Sequence, residues 1–284
     1  MNLAAEAKLT LLHGWGLGSA IWQPVLPALA LRFCADQGAQ LRSLPGYAMP
    51  GERMAKQAAD RGHQKTPEYS PGVRPDQETP SFTATAQALA DGLPDGSILC
   101  GWSLGGMLAL QAALLAPQRL RGLILVGSTP SFTQRRDWPH AHAPALLDGF
   151  RDAIAKDPDA TLQRFIALLN QGDSQARQIG RTMLRQLQTV DLPDTPTLLA
   201  GLDWLRDVDL RARLPSITVP TLLIHGSKDP LMPLEAAQWL ADRLPNADLE
   251  IFSGAAHAPF LADPERFAAL VGDFCDRCHA PAAG

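Results

Sequence analysis

Gly101-Trp102-Ser103-Leu104-Gly105-Gly106 decides how the rest of this sequence is read. The apolar run Ser97-Ile98-Leu99-Cys100 enters it, and a helix-forming run, 107–116, leaves it. Strand, tight turn and helix follow one another, with a serine at the apex. A G-x-S-x-G turn of this kind holds its serine in a strained backbone conformation. Gly101 and Gly105 lack the Cβ atoms that would collide where strand and helix cross. The Oγ is lifted above the sheet, and the amide of Leu104, at a helix N-terminus, faces a reacting carbonyl. The competing reading is a glycine-rich turn with a capping serine. The strand–turn–helix context favours Ser103 as a nucleophile.

Outward from that turn the chain alternates strands and helices. Upstream, Leu9-Thr10-Leu11-Leu12-His13 reads as a short buried strand ending in Gly14-Trp15-Gly16-Leu17-Gly18. Such a loop brings a backbone N–H close to a ligand, and Trp15 is placed to offer it; an ordinary β-to-α turn is the alternative. A helix is expected over 21–31, with Pro24 and Pro27 near its start, and a weak strand and exit turn over 41–47. Residues 48–80 hold five prolines, three glycines, many charges and almost no large aliphatic side chains. That composition cannot offset its ordering entropy and reads as a long, partly disordered loop. Helical pattern returns over 82–93.

Downstream, Gly122-Leu-Ile-Leu-Val-Gly127 is a second fully buried strand, as expected of a parallel sheet covered on both faces. From 133 to 207 no strand pattern appears, and helices are expected over 144–156, 160–170, 174–190 and 196–205. Alternation resumes with a strand over 221–226, a helix over 235–244, a strand over 249–252 and a helix over 264–275.

A serine hydroxyl is a weak nucleophile at neutral pH and needs a base, itself oriented by a third group. Asp229 follows the 221–226 strand in Gly-Ser-Lys-Asp-Pro, and His257 follows the 249–252 strand in Gly-Ala-Ala-His-Ala-Pro-Phe. Both project from the sheet edge that carries Ser103, where ligands bind in open α/β folds. The order Ser103, Asp229, His257 is the one a hydrolase of this topology uses. Other candidates are weaker. His13 and His225 close strands, although His13 could buttress the Gly14–Gly18 loop. His140 and His142 flank a proline-rich connection, His63 lies in the 48–80 loop, and Asp137 sits ten residues beyond Gly127.

The chain has 284 residues, 46% hydrophobic and 19% charged, with a formal net charge of −4. It is long enough for a large core and argues against nucleic acid or an anionic membrane as the main partner. No signal peptide or membrane-spanning run is visible, so a cytoplasmic monomer is expected. Cys34 and Cys100 stand alone. Cys275-Asp-Arg-Cys278-His279 matches a haem-attachment pattern, but that chemistry belongs to exported proteins, and as a zinc site it is one ligand short. A frayed C-terminal helix is the better reading, and neither metal nor haem is expected.

Over essentially its whole length the chain resembles the α/β-hydrolase superfamily and, within it, the pimeloyl-carrier-protein methyl ester esterases of biotin synthesis. The resemblance rests on Leu11-Leu12-His13-Gly14-Trp15-Gly16-Leu17, on the Ser103 turn and on Ala255-Ala256-His257-Ala258-Pro259-Phe260, which recur in many hydrolases. Trp138-Pro139 and Arg164-Phe165-Ile166-Ala167-Leu168 are more particular. Two departures stand out: few residues precede Leu9, so the usual N-terminal hairpin is truncated or absent, and a compact turn after Pro45-Gly46 is stretched into 48–80.

The resemblance implies an α/β fold with a mostly parallel central sheet flanked by helices. An all-α cap, 133–207, would be inserted after the sixth strand into a core formed by 1–132 and 208–284. It implies a serine esterase without cofactor, acting on the methyl ester of a pimeloyl chain borne by acyl carrier protein. Ser103, His257 and Asp229 would form the triad, Trp15 and Leu104 the oxyanion hole, and Phe165, Ile166, Ala167, Leu168 and Leu169 the acyl channel. Periodicity alone makes 165–169 the apolar face of a cap helix. Between 160 and 190 there are four arginines, Arg164, Arg177, Arg181 and Arg185, and one acid, Asp173. The last three arginines recur every four residues and share a helical stripe, a docking face for an acidic carrier or a solvated surface. A broad esterase or thioesterase on small free esters, and an inert hydrolase-fold binding protein, remain alternatives.

Overall fold

The centre of the sheet is built from apolar runs too short to fold alone and too apolar to face water. In the computed structural model, which describes residues 9–33, 38–47 and 80–279, these runs pair into one sheet. The elements run β1 (Leu9–Leu12), a 3₁₀ segment (Ser19–Val25), α1 (Leu26–Ala30), β2 (Gln40–Arg42), α2 (Phe82–Asp91), β3 (Ser97–Trp102), α3 (Leu104–Leu115) and β4 (Leu120–Val126). Four helices follow: α4 (Pro144–Lys156), α5 (Pro158–Leu169), α6 (Ala176–Thr189) and α7 (Thr195–Asp207). The chain closes with β5 (Thr221–Gly226), α8 (Leu234–Arg243), β6 (Ala247–Phe252), α9 (Pro259–Ala262) and α10 (Pro264–His279).

Strand order is β2-β1-β3-β4-β5-β6, and every pairing is parallel. Parallel neighbours need crossovers, so the C-terminal ends of all the strands gather along one edge. Register shows that both faces are covered. Gly101 pairs with Leu125, and a Cβ on Gly101 would run into the backbone of α3. Gly122, an odd number of residues from Leu125, faces the other way, where a Cβ would meet Phe274 and Cys278 of α10. Burial on both sides is why β3 and β5 carry no exposed residue.

Two expectations change. Instead of one helix over 21–31 there is a 3₁₀ segment and a five-residue α1, because Pro24 and Pro27 each remove an amide donor. The helix expected over 264–275 does not fray but continues to His279, whose Nδ1 lies 2.6 Å from the Cys275 carbonyl. The helical insertion follows the fourth of the described strands. The expectations for the N-terminal hairpin, for Cys34 and for the 48–80 loop, Pro80 apart, fall outside the described residues. The four insertion helices match the expected ones to within a few residues. Two isolated bridges, Thr133–His142 and Arg135–Trp138, precede them. The α6 helix packs against the 3₁₀ segment, which brings the insertion down onto the core.

Candidate active site

Ser103 is the only non-glycine residue with positive φ among the described residues (φ 56°, ψ −121°). The strain is held from both sides. Ser103 N–H donates to Val126 O on β4 (2.9 Å), and Ser128 Oγ donates to Ser103 O (2.9 Å). Gly105 lets α3 start against the His13 carbonyl, where any Cβ would overlap it. Leu104 then opens α3, so its amide stands at the positive end of the helix beside the serine.

Asp229 sits in the turn after β5. Its Oδ1 accepts N–H bonds from Leu231 and Met232, each 2.9 Å, which fixes the carboxylate without using Oδ2. Oδ2 lies 2.7 Å from His257 Nδ1. Burial works against ionisation, yet the His257 imidazole, His225 and the Met232 amide together hold the Asp229 carboxyl below its usual range. The carboxylate therefore stays charged and accepts a hydrogen bond from Nδ1–H. That leaves Nε2 of His257 as the free basic nitrogen. It is buried and has no hydrogen-bond partner among the described residues, Ser103 Oγ included.

His257 reaches the serine through shared neighbours. Its carbonyl accepts the Trp102 indole N–H (2.8 Å), and the two rings lie 5.4 Å apart. Trp102 immediately precedes Ser103 and ends β3. Gly127 presses against the acid–base pair: a Cβ there would lie 3.3 Å from both Asp229 Oδ2 and His257 Nδ1. Three strand ends thus deliver Ser103, Asp229 and His257 to one edge of the sheet.

The Gly14–Gly18 loop runs beside Ser103, since a Cβ on Gly14 would lie 3.0 Å from Ser103 Cβ. The Gly14–Trp15 peptide is therefore adjacent to the serine. Three side chains hold this loop. His13 is fully buried, with Nδ1 2.8 Å from Gly14 O and Nε2 accepting Leu44 N–H at 3.0 Å. That pairing requires the neutral ring protonated at Nδ1, and burial lowers its pKa to about 4. Tyr47 Oη accepts Gly16 N–H (3.0 Å), and the Trp15 indole donates to Leu198 O on α7 (2.8 Å).

The cap residues expected in an acyl channel do not share one face. Five consecutive helical residues sweep more than a full turn. Phe165 meets Trp15 edge-on (4.9 Å), Ile166 and Leu169 are buried in the core, Leu168 is half-buried and Ala167 is exposed. A groove of about 390 Å³ between α4 and α5 is lined by Leu146, Phe150, Ala153, Arg164 and Leu168 among others. Its Phe150 lies 5.6 Å from Phe165 and 5.9 Å from Trp15. Arg164, Arg177, Arg181 and Arg185 are exposed, and none pairs with a carboxylate among the described residues.

Of the other sequence candidates, His225 borders the acid, with Nε2 3.5 Å from Asp229 Oδ2, and the rest stay apart from this chemistry. Asp137 is exposed and bound by Arg211, which holds its carboxyl low. His225 donates to Met232 O (2.7 Å), and burial lowers its pKa. His142 Nε2 lies 3.0 Å from Pro230 O, and His63 is outside the described residues. Cys100 and Cys275 are buried, and burial pushes the Cys275 thiol up to about 12. No group of three or more His, Cys, Asp or Glu residues that could hold a metal ion occurs among the described residues. Sequence reasoning missed Tyr47, Gly127 and Asp173 as supports. Only Asp173, the lone acid among the cap arginines, carried a visible signal.

A strained serine between a parallel strand and a helix, with an acid and a histidine on later strand ends, defines a hydrolase of the α/β class. The chain belongs to that family: a model described as alpha/beta hydrolase fold matches residues 9–264. Among curated relatives, the pimeloyl-[acyl-carrier protein] methyl ester esterase of Aromatoleum aromaticum is 39% identical over 270 residues, 93% of this chain and 96% of the relative. The protein of the same name from Nitrosomonas europaea is 38% identical over 261 residues, 91% and 92% of the two chains. Among solved structures, an esterase from Exiguobacterium antarcticum superposes with a TM-score of 0.74 at 21% identity, covering 95% of this chain and 93% of that one. A thermophilic esterase from Thermogutta terrifontis gives 0.72 at 20%, covering 96% and 91%. These two likenesses concern the fold.

Proposed function

We propose that this protein is a serine carboxylesterase that hydrolyses the methyl ester of a pimeloyl chain carried by acyl carrier protein, the step that frees the terminal carboxylate in biotin synthesis. The observation that carries the chemistry is the buried Asp229–His257 pair beside the strained Ser103, with Nε2 left without a hydrogen-bond partner among the described residues. The substrate follows from the names of the curated relatives, together with the exposed arginines of α6, which meet no carboxylate among the described residues.

In this mechanism His257 Nε2 takes the Ser103 proton as Oγ attacks the ester carbonyl. Asp229 holds the Nδ1–H tautomer and stabilises the imidazolium that forms. The amides of Trp15 and Leu104 receive the oxyanion, and one such donor is typically worth about 10²–10³ in rate. The imidazolium returns its proton to the departing methoxide, and methanol leaves. Water activated by the same nitrogen then resolves the acyl-enzyme. Residues 133–207 serve as the substrate-selecting cap over a core formed by 1–132 and 208–284. Arg164, Arg177, Arg181 and Arg185 meet the acidic carrier, and Phe165 to Leu169 contribute to the acyl path.

The test compares methyl pimeloyl carrier protein with the methyl ester of a free short acid. Wild-type protein should favour the carrier-bound ester in kcat/KM. Ser103→Ala should lose at least about 10³-fold on both substrates while keeping its fold, because the triad acts as a unit. Retention of more than a few percent of turnover would mean that another residue is the nucleophile.

A further inference from the structure

Four consecutive amides lead into the base, and they are held from two directions. Gly254 N–H donates to Ser227 Oγ (2.9 Å) and Ala255 N–H to Phe252 O (3.3 Å), both within the core. Ala256 N–H donates to Asp173 Oδ2 (2.7 Å) and His257 N–H to Leu169 O (3.2 Å), both in the helical insertion. A return bond, Ser174 N–H to Gly254 O (3.3 Å), closes the same contact. The two amides nearest the imidazole therefore depend on the turn between α5 and α6, not on the sheet.

Among these holds the one from Asp173 is the shortest and the only one with an ionisable acceptor, and charge-assisted bonds are about twice as strong as neutral ones. The side chain is buried, and its second oxygen accepts Gln175 N–H (2.7 Å), which locks the carboxylate in its turn. Both oxygens are thus spent on backbone amides, one of them 83 residues away in sequence. Asp229 grips only the Nδ1 edge of the imidazole. That single bond leaves ring tilt and Cα position to the backbone, and misplacement by about 1 Å can cost 10²-fold in rate.

We propose that Asp173 is a positioning residue for this reaction: through the Ala256 amide it fixes the backbone that carries His257, and so keeps Nε2 directed at Ser103 Oγ. The proposal rests on the Ser103–His257 assignment above, but not on the identity of the acyl substrate. The plain alternative is that Asp173 only fastens the insertion to the core. The two differ in what a variant loses. A fastener lowers the melting temperature and the number of folded sites, whereas a positioning residue lowers turnover at each site that remains.

The experiment uses the full chain, p-nitrophenyl acetate as substrate, and stoichiometric labelling by a serine-directed phosphonate to count active sites. Asp173→Ala should reduce kcat per labelled site by about 5- to 50-fold, with KM changed by less than about twofold. Asp173→Asn keeps an oxygen for Ala256 N–H and gives up only the local bond from Gln175 N–H, which its NH₂ cannot accept, so it should recover to within about threefold of wild type. Amide exchange at Ala256 should accelerate in Asp173→Ala and stay slow in Asp173→Asn. If Asp173→Ala does not fold, Asp173→Ser, whose hydroxyl cannot span the gap, carries the same expectation. A kcat per site within twofold of wild type, or equal losses in the Ala and Asn variants, would overturn the proposal. A wild-type chain inert to both ester and phosphonate would instead sink the esterase reading on which it depends.

Discussion

Gly127 offers a sharp test of the site geometry, because it touches the acid–base pair without taking part in the chemistry. It lies just beyond β4 with φ +48°, a conformation that costs an L-residue about 1–2 kcal/mol. A Cβ added there would lie 2.9 Å from His257 O and 3.3 Å from both Asp229 Oδ2 and His257 Nδ1. The first contact is too short to persist, so something must shift. Gly127 itself cannot retreat easily, since its N–H donates to Ile224 O on β5 (2.9 Å). The His257 loop is the softer partner and should move by several tenths of an ångström. Gly127→Ala should therefore lower the melting temperature by a few degrees and reduce kcat per active site by about 10- to 100-fold on a small ester. Stopped-flow turnover of p-nitrophenyl acetate, normalised by phosphonate labelling, separates the two effects. A variant that loses stability but keeps kcat within threefold of wild type would show that the Asp229–His257 pair tolerates the displacement. The close packing argued here would then be irrelevant to catalysis.

Two further outcomes follow from charge. Reversing Arg177 and Arg181 together to Glu should cost about 5- to 150-fold in kcat/KM for the carrier-bound ester, less at high salt, and under twofold for a free methyl ester; equal losses on both would indicate a damaged cap. His13 is held neutral in the fold, with its pKa lowered to about 4, so the unfolded chain binds the extra proton first as pH falls. Stability is full above about pH 6.5 and declines toward pH 4 by up to about 3 kcal/mol, and urea unfolding of His13→Gln should show a correspondingly flatter profile across that window.

The parts legible in the sequence are those written in local pattern. Ser103 could be read because strand, turn and helix adjoin it in the chain, and Asp229 and His257 because each follows an apolar run whose direction a parallel sheet fixes. The four insertion helices were legible from periodicity. The helix expected over 21–31 failed because two prolines within four residues outweigh an apolar repeat. The supports of the site were not legible, since their partners are remote. Tyr47 meets Gly16 across 31 positions and Trp15 meets Leu198 across 183. Nothing near Gly127 marks it as pressing on His257, 130 residues later. Ala167 and Phe165 look alike in a run of apolar residues, and only the helix phase separates an exposed side chain from one against Trp15.

This distribution of contacts bears on how selectivity and chemistry are divided between core and insertion. A cap that only sorted substrates could be exchanged freely, because the sheet edge would hold the whole triad. Here the insertion supplies the acceptors for the Ala256 and His257 amides, and α7 supplies the carbonyl that anchors Trp15. The turn that holds Ala256 also starts α6, where Ala176 N–H donates to Asp173 O (3.2 Å). Arg177, the first of the exposed arginine stripe, is the next residue. The stripe thus shares a helix whose first turn is tied, through Asp173, to the backbone next to His257. On the proposed mechanism the base and the oxyanion loop are accordingly set by core and insertion together, and residues 169–175 belong with His257.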